Sequence, residues 1–329
     1  MGRARAIPIA STLVAALLLA ACTTQVAGQP AATGSDPASP SSVTTKPVES
    51  VLVALRAADY ECGPSSLEPT PVWQCFARLS GGVSHTITLQ ERPDGSTGGM
   101  IVNVSPTETD GEGLTKQAID EVISGMLAKT LDEPQLGAVQ GWVRQDATPD
   151  ATVEGLALTY APTFGKGGKF EMVAPDVKAL TIFDATAAIT TTMPKVQISS
   201  IKAFAEANDM TCEDSESKST SCAQKPLYFR SINASPVIGG DLSKGTSLAT
   251  FRFRTPDRAE AVELFGKFAA VISPDGAKDV SAWISRKLGK PGEHNTAAPE
   301  RVTFTLEISD GDGAGRGVEY QIGAAPSLF

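Results

Sequence analysis

The stretch ALRAADYEC, ending at Cys62, returns as FAEANDMTC, ending at Cys212. Each runs from a short amphipathic segment into an Asp, an apolar residue, a polar residue and a cysteine, and a second cysteine follows, Cys75 or Cys222. Self-similarity at a long period constrains a chain more than local propensity does, because each copy must bury its own apolar face by the same plan. The order of matches is kept to the end. NVSP at Pro106 matches FRTP at Pro256, VQGWVR around Trp142 matches VSAWIS around Trp283, GLALTY matches TFTLEI, and after a glycine-rich turn KFEMV matches GVEYQ. Residues 48–178 and 198–329 are therefore expected to be two copies of one unit, joined by an apolar connector at 179–197.

Within one copy the periodicities specify the elements. Residues 51–58 carry a helical pattern, and VWQCFARL, SHTITLQE and GGMIVNV alternate as strands, with Asp94-Gly95 as the turn between the last two. Leu114, Ala118, Val122 and Met126, with Ile119, Ile123 and Leu127 beside them, form the apolar face of a long helix. In the second copy Val262, Phe265, Ala269 and Ile272 take that place, with Thr255 as N-cap and Pro256 at the first helical position. The order is helix, three strands, helix, a short helix at the tryptophan, then two strands. It predicts an antiparallel sheet packed on one side by helices, the α+β class in tandem duplication. In element order this resembles the type III secretion chaperone-like folds, and the paired short cysteine loops on a tandem α+β plan resemble the secreted β-lactamase inhibitor proteins. Neither likeness rests on a shared motif, so no functional residue is carried over.

Of the three connectivities open to four cysteines, pairing within copies places each bridge, Cys62 with Cys75 and Cys212 with Cys222, at the same point of its unit. The spacings do not match redox or zinc Cys-x-x-Cys patterns, so the bridges are structural staples. Each closes a short loop and contributes about 3 kcal/mol. Structural disulfides persist outside the cytoplasm.

The fifth cysteine belongs to a different signal. Met1-Gly2-Arg3-Ala4-Arg5 is a short basic start, followed by an uncharged apolar run at 6–21 that is too short for an ordinary membrane span. The run ends in Leu19-Ala20-Ala21-Cys22, which resembles the lipobox of bacterial lipoproteins. The resemblance implies cleavage after residue 21, a lipid on Cys22, and attachment of the chain to the extracytoplasmic face of the cell membrane. Residues 22–47 are rich in Pro, Ala, Ser and Thr, lack aromatic residues and hold just Asp36 and Lys46 as charges, so they are expected to form a disordered tether.

Signals for catalysis are weak. The chain has two histidines, His85 in an expected strand and His294 in a loop, and neither has a neighbouring partner motif for a metal or a triad. Ser199-Ser200-Ile201-Lys202 has the Ser-x-x-Lys spacing without its companion elements, and the serine reads better as a helix N-cap. DGDGAGRG places Asp310, Asp312 and Gly315 as a calcium loop does, but Ala314 and Gln321 stand where ligands belong, so a hairpin loop is expected. No cofactor, metal or catalytic residue is nominated.

Charge is the remaining guide. The mature chain is acidic, which disfavours nucleic acid and direct docking on anionic lipid. Nineteen acidic against ten basic residues fall in 48–197, and seventeen against fifteen in 198–329, so the copies differ at their surfaces. Glu108, Asp110, Glu112, Asp120 and Glu121 gather around the start of the long helix in the first copy. They are a candidate surface for a basic partner, against the alternative of a helix start favoured by the dipole. The chain is thus expected to be a lipid-anchored, non-catalytic binding or adaptor protein with an envelope protein as partner. Carriage of a lipid or other apolar ligand between sheet and helices is the alternative, and an envelope hydrolase ranks last.

Overall fold

A computed structural model describes residues 43–67, 70–79, 83–106, 114–145, 150–163, 167–180, 193, 196–215, 219–224, 230–235, 246, 248–255, 257–299, 302–309 and 318–326. The first repeat contains α1 (Val48–Arg56), β1 (Glu61–Ser66), β2 (Val72–Leu79), β3 (Val83–Glu91), β4 (Thr97–Pro106), α2 (Lys116–Thr130), α3 (Gln135–Arg144), β5 (Asp150–Val153), β6 (Leu156–Thr163) and β7 (Gly167–Val173). The second contains α4 (Ile198–Glu206), β8 (Thr211–Asp214), β9 (Thr220–Ala223), β10 (Arg230–Ser235), β11 (Leu248–Thr255), α5 (Arg258–Ile272), α6 (Ala277–Lys287), β12 (Gly292–Ala298), β13 (Val302–Ser309) and β14 (Val318–Pro326). Two antiparallel seven-stranded sheets result, β1-β2-β3-β4-β7-β6-β5 and β8-β9-β10-β11-β14-β13-β12. The chain is α+β, and its two sheets have the same strand order.

One row of directly opposed residues establishes the equivalence of the copies. In the first sheet it runs Cys62, Cys75, Ile87, Val102, Phe170, Tyr160. In the second it runs Cys212, Cys222, Ile232, Phe251, Ile322, Leu306. A slip of one residue turns a strand's side chains to the other face, so agreement across six strands fixes the alignment. Both expected disulfides are present as cross-strand pairs, with Cα atoms 4.0 and 3.9 Å apart. The turns before them agree as well, since Asp59 and Asp209 both adopt left-handed backbone, with φ of 63° and 60°.

Helices cover one face of each sheet. In α2, Ile119, Ile123, Met126, Leu127 and Thr130 are buried, and in α5 the corresponding Ala261, Phe265, Phe268, Ala269 and Ile272 are buried. The residues form two separate hydrophobic clusters, one in each repeat. Trp142 and Trp283 lie in α3 and α6, as the sequence suggests.

Several finer expectations change. Each sheet has seven strands where the pattern suggested five, because β1 (ECGPSS) and β5 (DATV) carry no apolar alternation. The N-cap of α5 is Asp257, whose carboxylate accepts from the amides of Ala259 and Glu260; Thr255 instead accepts from the Asp257 amide and donates to Glu260. Ser199 and Ser200 lie within the first turn of α4 and do not cap it, the N-cap position being Gln197. Val104 corresponds to Phe253, one residue off the match drawn through the prolines, and Leu158 corresponds to Phe304, because loops of unequal length displace the later strands. Residues just ahead of α1 are part of the fold, with Thr45 bridging to Leu131 and Thr97 N–H donating to Lys46 O at 3.0 Å.

The two repeats touch within one compact unit. β12, an outer strand of the second sheet, packs against β1 and β2 of the first. The approach is so close that a Cβ placed on Gly63 would lie 2.2 Å from Ala297 O, a position only glycine tolerates. Because β1 corresponds to β8 and β12 to β5, the contact joins unlike edges of the two copies.

Candidate functional site

Beside this contact the repeats leave an open cleft of about 1030 Å³. The first repeat supplies Asp59 and Glu61 from the α1–β1 junction, Phe76 from β2, and Ser84, His85 and Thr86 from β3. The second supplies Lys287 at the end of α6, Lys290, and the first half of β12 from Gly292 to Asn295. A salt bridge between Lys287 and Glu61 crosses from one repeat to the other, with side chains 13% and 21% exposed. Such a pair, shielded from water but able to reach it, fixes orientation more than it adds stability.

Both histidines of the chain lie here, more than two hundred positions apart in sequence. His85 is buried, 3% exposed, and its Nδ1 lies 2.8 Å from the Tyr60 hydroxyl. Burial pushes the Tyr60 pKa up to about 12, so the hydroxyl keeps its proton, and the imidazole tautomer decides which of the two groups donates. Burial also lowers the His85 pKa, and its Nε2 is buried without a hydrogen-bond partner among the described residues. His294 donates from Nε2 to Lys290 O at 2.9 Å, and burial, with Lys287 and Lys290 nearby, lowers its pKa. The cleft therefore sets the His294 imidazole between lysines and carboxylates, while the His85 ring lies behind its wall, on the face of β3 shared with Ile87. It offers hydrogen bonds of both senses. Among the described residues, no group of three or more His, Cys, Asp and Glu is arranged to hold a metal.

The acidic surface suggested by the sequence is resolved in part. Glu108, Asp110 and Glu112 lie outside the described residues. Asp120 is bonded to Lys116 at 2.6 Å and Glu121 accepts from Gln117 at 3.1 Å. Both border a smaller hollow of about 590 Å³ that also holds Lys116 and Arg144. On α2 the acids are thus interleaved with cations. Cys22 and the loop at 310–317 also lie outside the described residues. Sequence reading singled out none of Tyr60, Glu61, Lys287 and Lys290, and weighed each histidine alone, since only the contact between repeats assembles them.

No family model, curated protein or solved structure matches this chain.

Proposed function

We propose that this protein is a lipid-anchored, extracytoplasmic binding protein of the cell envelope, acting without catalysis, and that the cleft between its repeats is where it binds. The N-terminal basic-apolar-lipobox pattern and the two disulfides support the location. One observation carries the rest. A single cleft is walled by both copies and held by a charge pair between them, so the duplication creates a surface that neither copy has alone. The apolar-carrier alternative draws no support from the two hollows, since both are bordered by charged side chains.

Crosslinking in the native cell, with and without Thr86→Arg, tests the reading. Thr86 lines the cleft on the face of β3 opposite buried Ile87, so arginine there obstructs binding without entering the core. Partner capture should fall sharply. If it persists in Thr86→Arg and is lost when Asp110, Glu112 and Asp120 are replaced by lysine, the acidic surface is the binding face and the cleft reading fails.

A further inference from the structure

We infer that the outer face of the first sheet, the one turned away from its helices, is the docking surface for the chain's own connector, residues 181–192, which lie outside the described residues. One row of opposed residues on that face runs Gly63, Gln74, Thr88, Ile101, Glu171. β12 covers the Gly63 end and packs against β1 and β2. Thr88 and Ile101 stand on the two strands beyond, yet they are 0% and 2% exposed. In the second sheet the corresponding row runs Glu213, Ser221, Asn233, Thr250, Gly323, of which the first three are exposed and the last two half-buried. A shared backbone plan thus leaves this face open in one copy and closes it in the other. A single copy of the chain closes it, so the cover is a segment of the chain itself.

The side chains on this face define what the cover must bring. Val72 and Ile101 are buried there and belong to neither hydrophobic cluster, so their apolar partners come from outside both cores. Thr88 Oγ1 and Gln90 Oε1 are buried on the same face without a hydrogen-bond partner among the described residues, so the cover must also bring N–H or O–H donors. The connector, TIFDATAAITTT, has both kinds of group: Ile182, Phe183 and Ile189 are apolar, five threonines carry hydroxyls, and Asp184 is its one charge. Its flanks stand at the right end of the face. Ala174 N–H donates to Gly98 O at 2.9 Å at the start of β4, and Met193 N–H donates to Thr246 O at 2.9 Å just ahead of β11. Register carries the start of β11 from Ala249 through Ala324 and Phe304 to Thr296, beside the Gly63 contact. Crossing from β7 to β2 takes three strand spacings, about 14 Å, and twelve extended residues reach about 40 Å. Docked there, the connector is a second tie between the repeats, continuous with the β12 contact.

The test places a photocrosslinking residue, p-benzoylphenylalanine, at Phe183 in the detergent-solubilised full chain, with the same residue at exposed Val53 on α1 as control. Peptide mapping should locate the intramolecular adducts on Val72, Gln74, Thr88, Gln90 or Ile101. Adducts on the second sheet, adducts matching those from Val53, or no intramolecular adduct overturn the inference. A second measurement follows proteolytic cleavage within 181–192. Ile101→Thr introduces the residue that the second sheet holds at the matching position, outside both cores, and should speed that cleavage about tenfold by weakening the docking. Thr250→Ala, on the open face of the second sheet, should leave the rate unchanged. Equal rates in Ile101→Thr and the unsubstituted chain overturn the inference, because the connector then owes nothing to this face.

Discussion

Repeat 1 and repeat 2 share a backbone plan and fill it differently. Where the first has Val102, Ile123, Met126 and Leu158, the second has Phe251, Phe265, Phe268 and Phe304, all buried. Volume is returned elsewhere, as Met100, Leu127 and Met172 become Ala249, Ala269 and Ala324. Met100 and Met172 face each other across β4 and β7, and Ala249 and Ala324 occupy the same pair in the second sheet. The exchange shows that close packing is conserved over a whole core and not position by position. It also gives the second core a centre that the first lacks. The Phe251 ring meets Phe204, Phe253, Phe265 and Phe268 with centroids 5.7, 6.3, 5.3 and 5.6 Å away.

The largest expected difference between the repeats follows from that ring. Phe251→Ala should cost about 3–5 kcal/mol in denaturant unfolding, and Val102→Ala at the matching position about 2 kcal/mol. Equal losses would show that the aromatic cluster is no more than filler. Replacing either disulfide by two serines should cost about 3 kcal/mol, with the two losses agreeing within about 0.5 kcal/mol, because loops of 13 and 10 positions close with similar entropy. A clear inequality would mean that one bridge also holds the repeats together.

Next comes the edge. Gly63→Ala should destabilise by about 1–3 kcal/mol by driving a methyl into the Ala297 carbonyl. Glu213→Ala, at the corresponding and exposed place in β8, should change stability by less than about 0.5 kcal/mol. If both are neutral, the contact between repeats opens in solution.

The smallest effect concerns protons. Burial lowers the His85 pKa, so the unfolded chain takes up the proton first as pH falls, whereas the second repeat has Arg230, paired with Glu260, at the matching position. Stability should be fully present above the ordinary value of 6.5 and decline as pH drops below it towards the lowered value. His85→Asn, which keeps a hydrogen-bonding partner for Tyr60, should flatten the fall in melting temperature between pH 6.5 and 5. His294, lowered in the same direction, keeps part of the slope.

Much of this fold is legible in the sequence, for physical reasons. The duplication shows because Asp59 and Asp209 lead into cysteines held by one strand register, and the tryptophan helices show because Val139, Val143, Val280 and Ile284 keep helical spacing. β1 and β5 escape notice because an outer strand packs few side chains on a core and needs no alternation. Thr255 resembles an N-cap, yet Asp257 lies closer to the free amides and satisfies two of them. The cleft is illegible because its members run from Asp59 to Asn295 and belong to different cores. Only the omission of a side chain at Gly63 hints that something packs there, and a lone glycine in a strand has several readings.

The strap ahead of α1 has a mechanical consequence. Thr45 Oγ1 donates to Thr97 O at 2.6 Å, Lys46 N–H donates to Thr130 O at 2.9 Å, and Val48 N–H donates to Gly95 O at 2.9 Å. Any tension arriving along the chain from upstream is taken up by these bonds and passed to the β3–β4 hairpin and the end of α2. The second core and the cleft between the repeats lie off that line of force, so a pull from upstream would leave both unloaded.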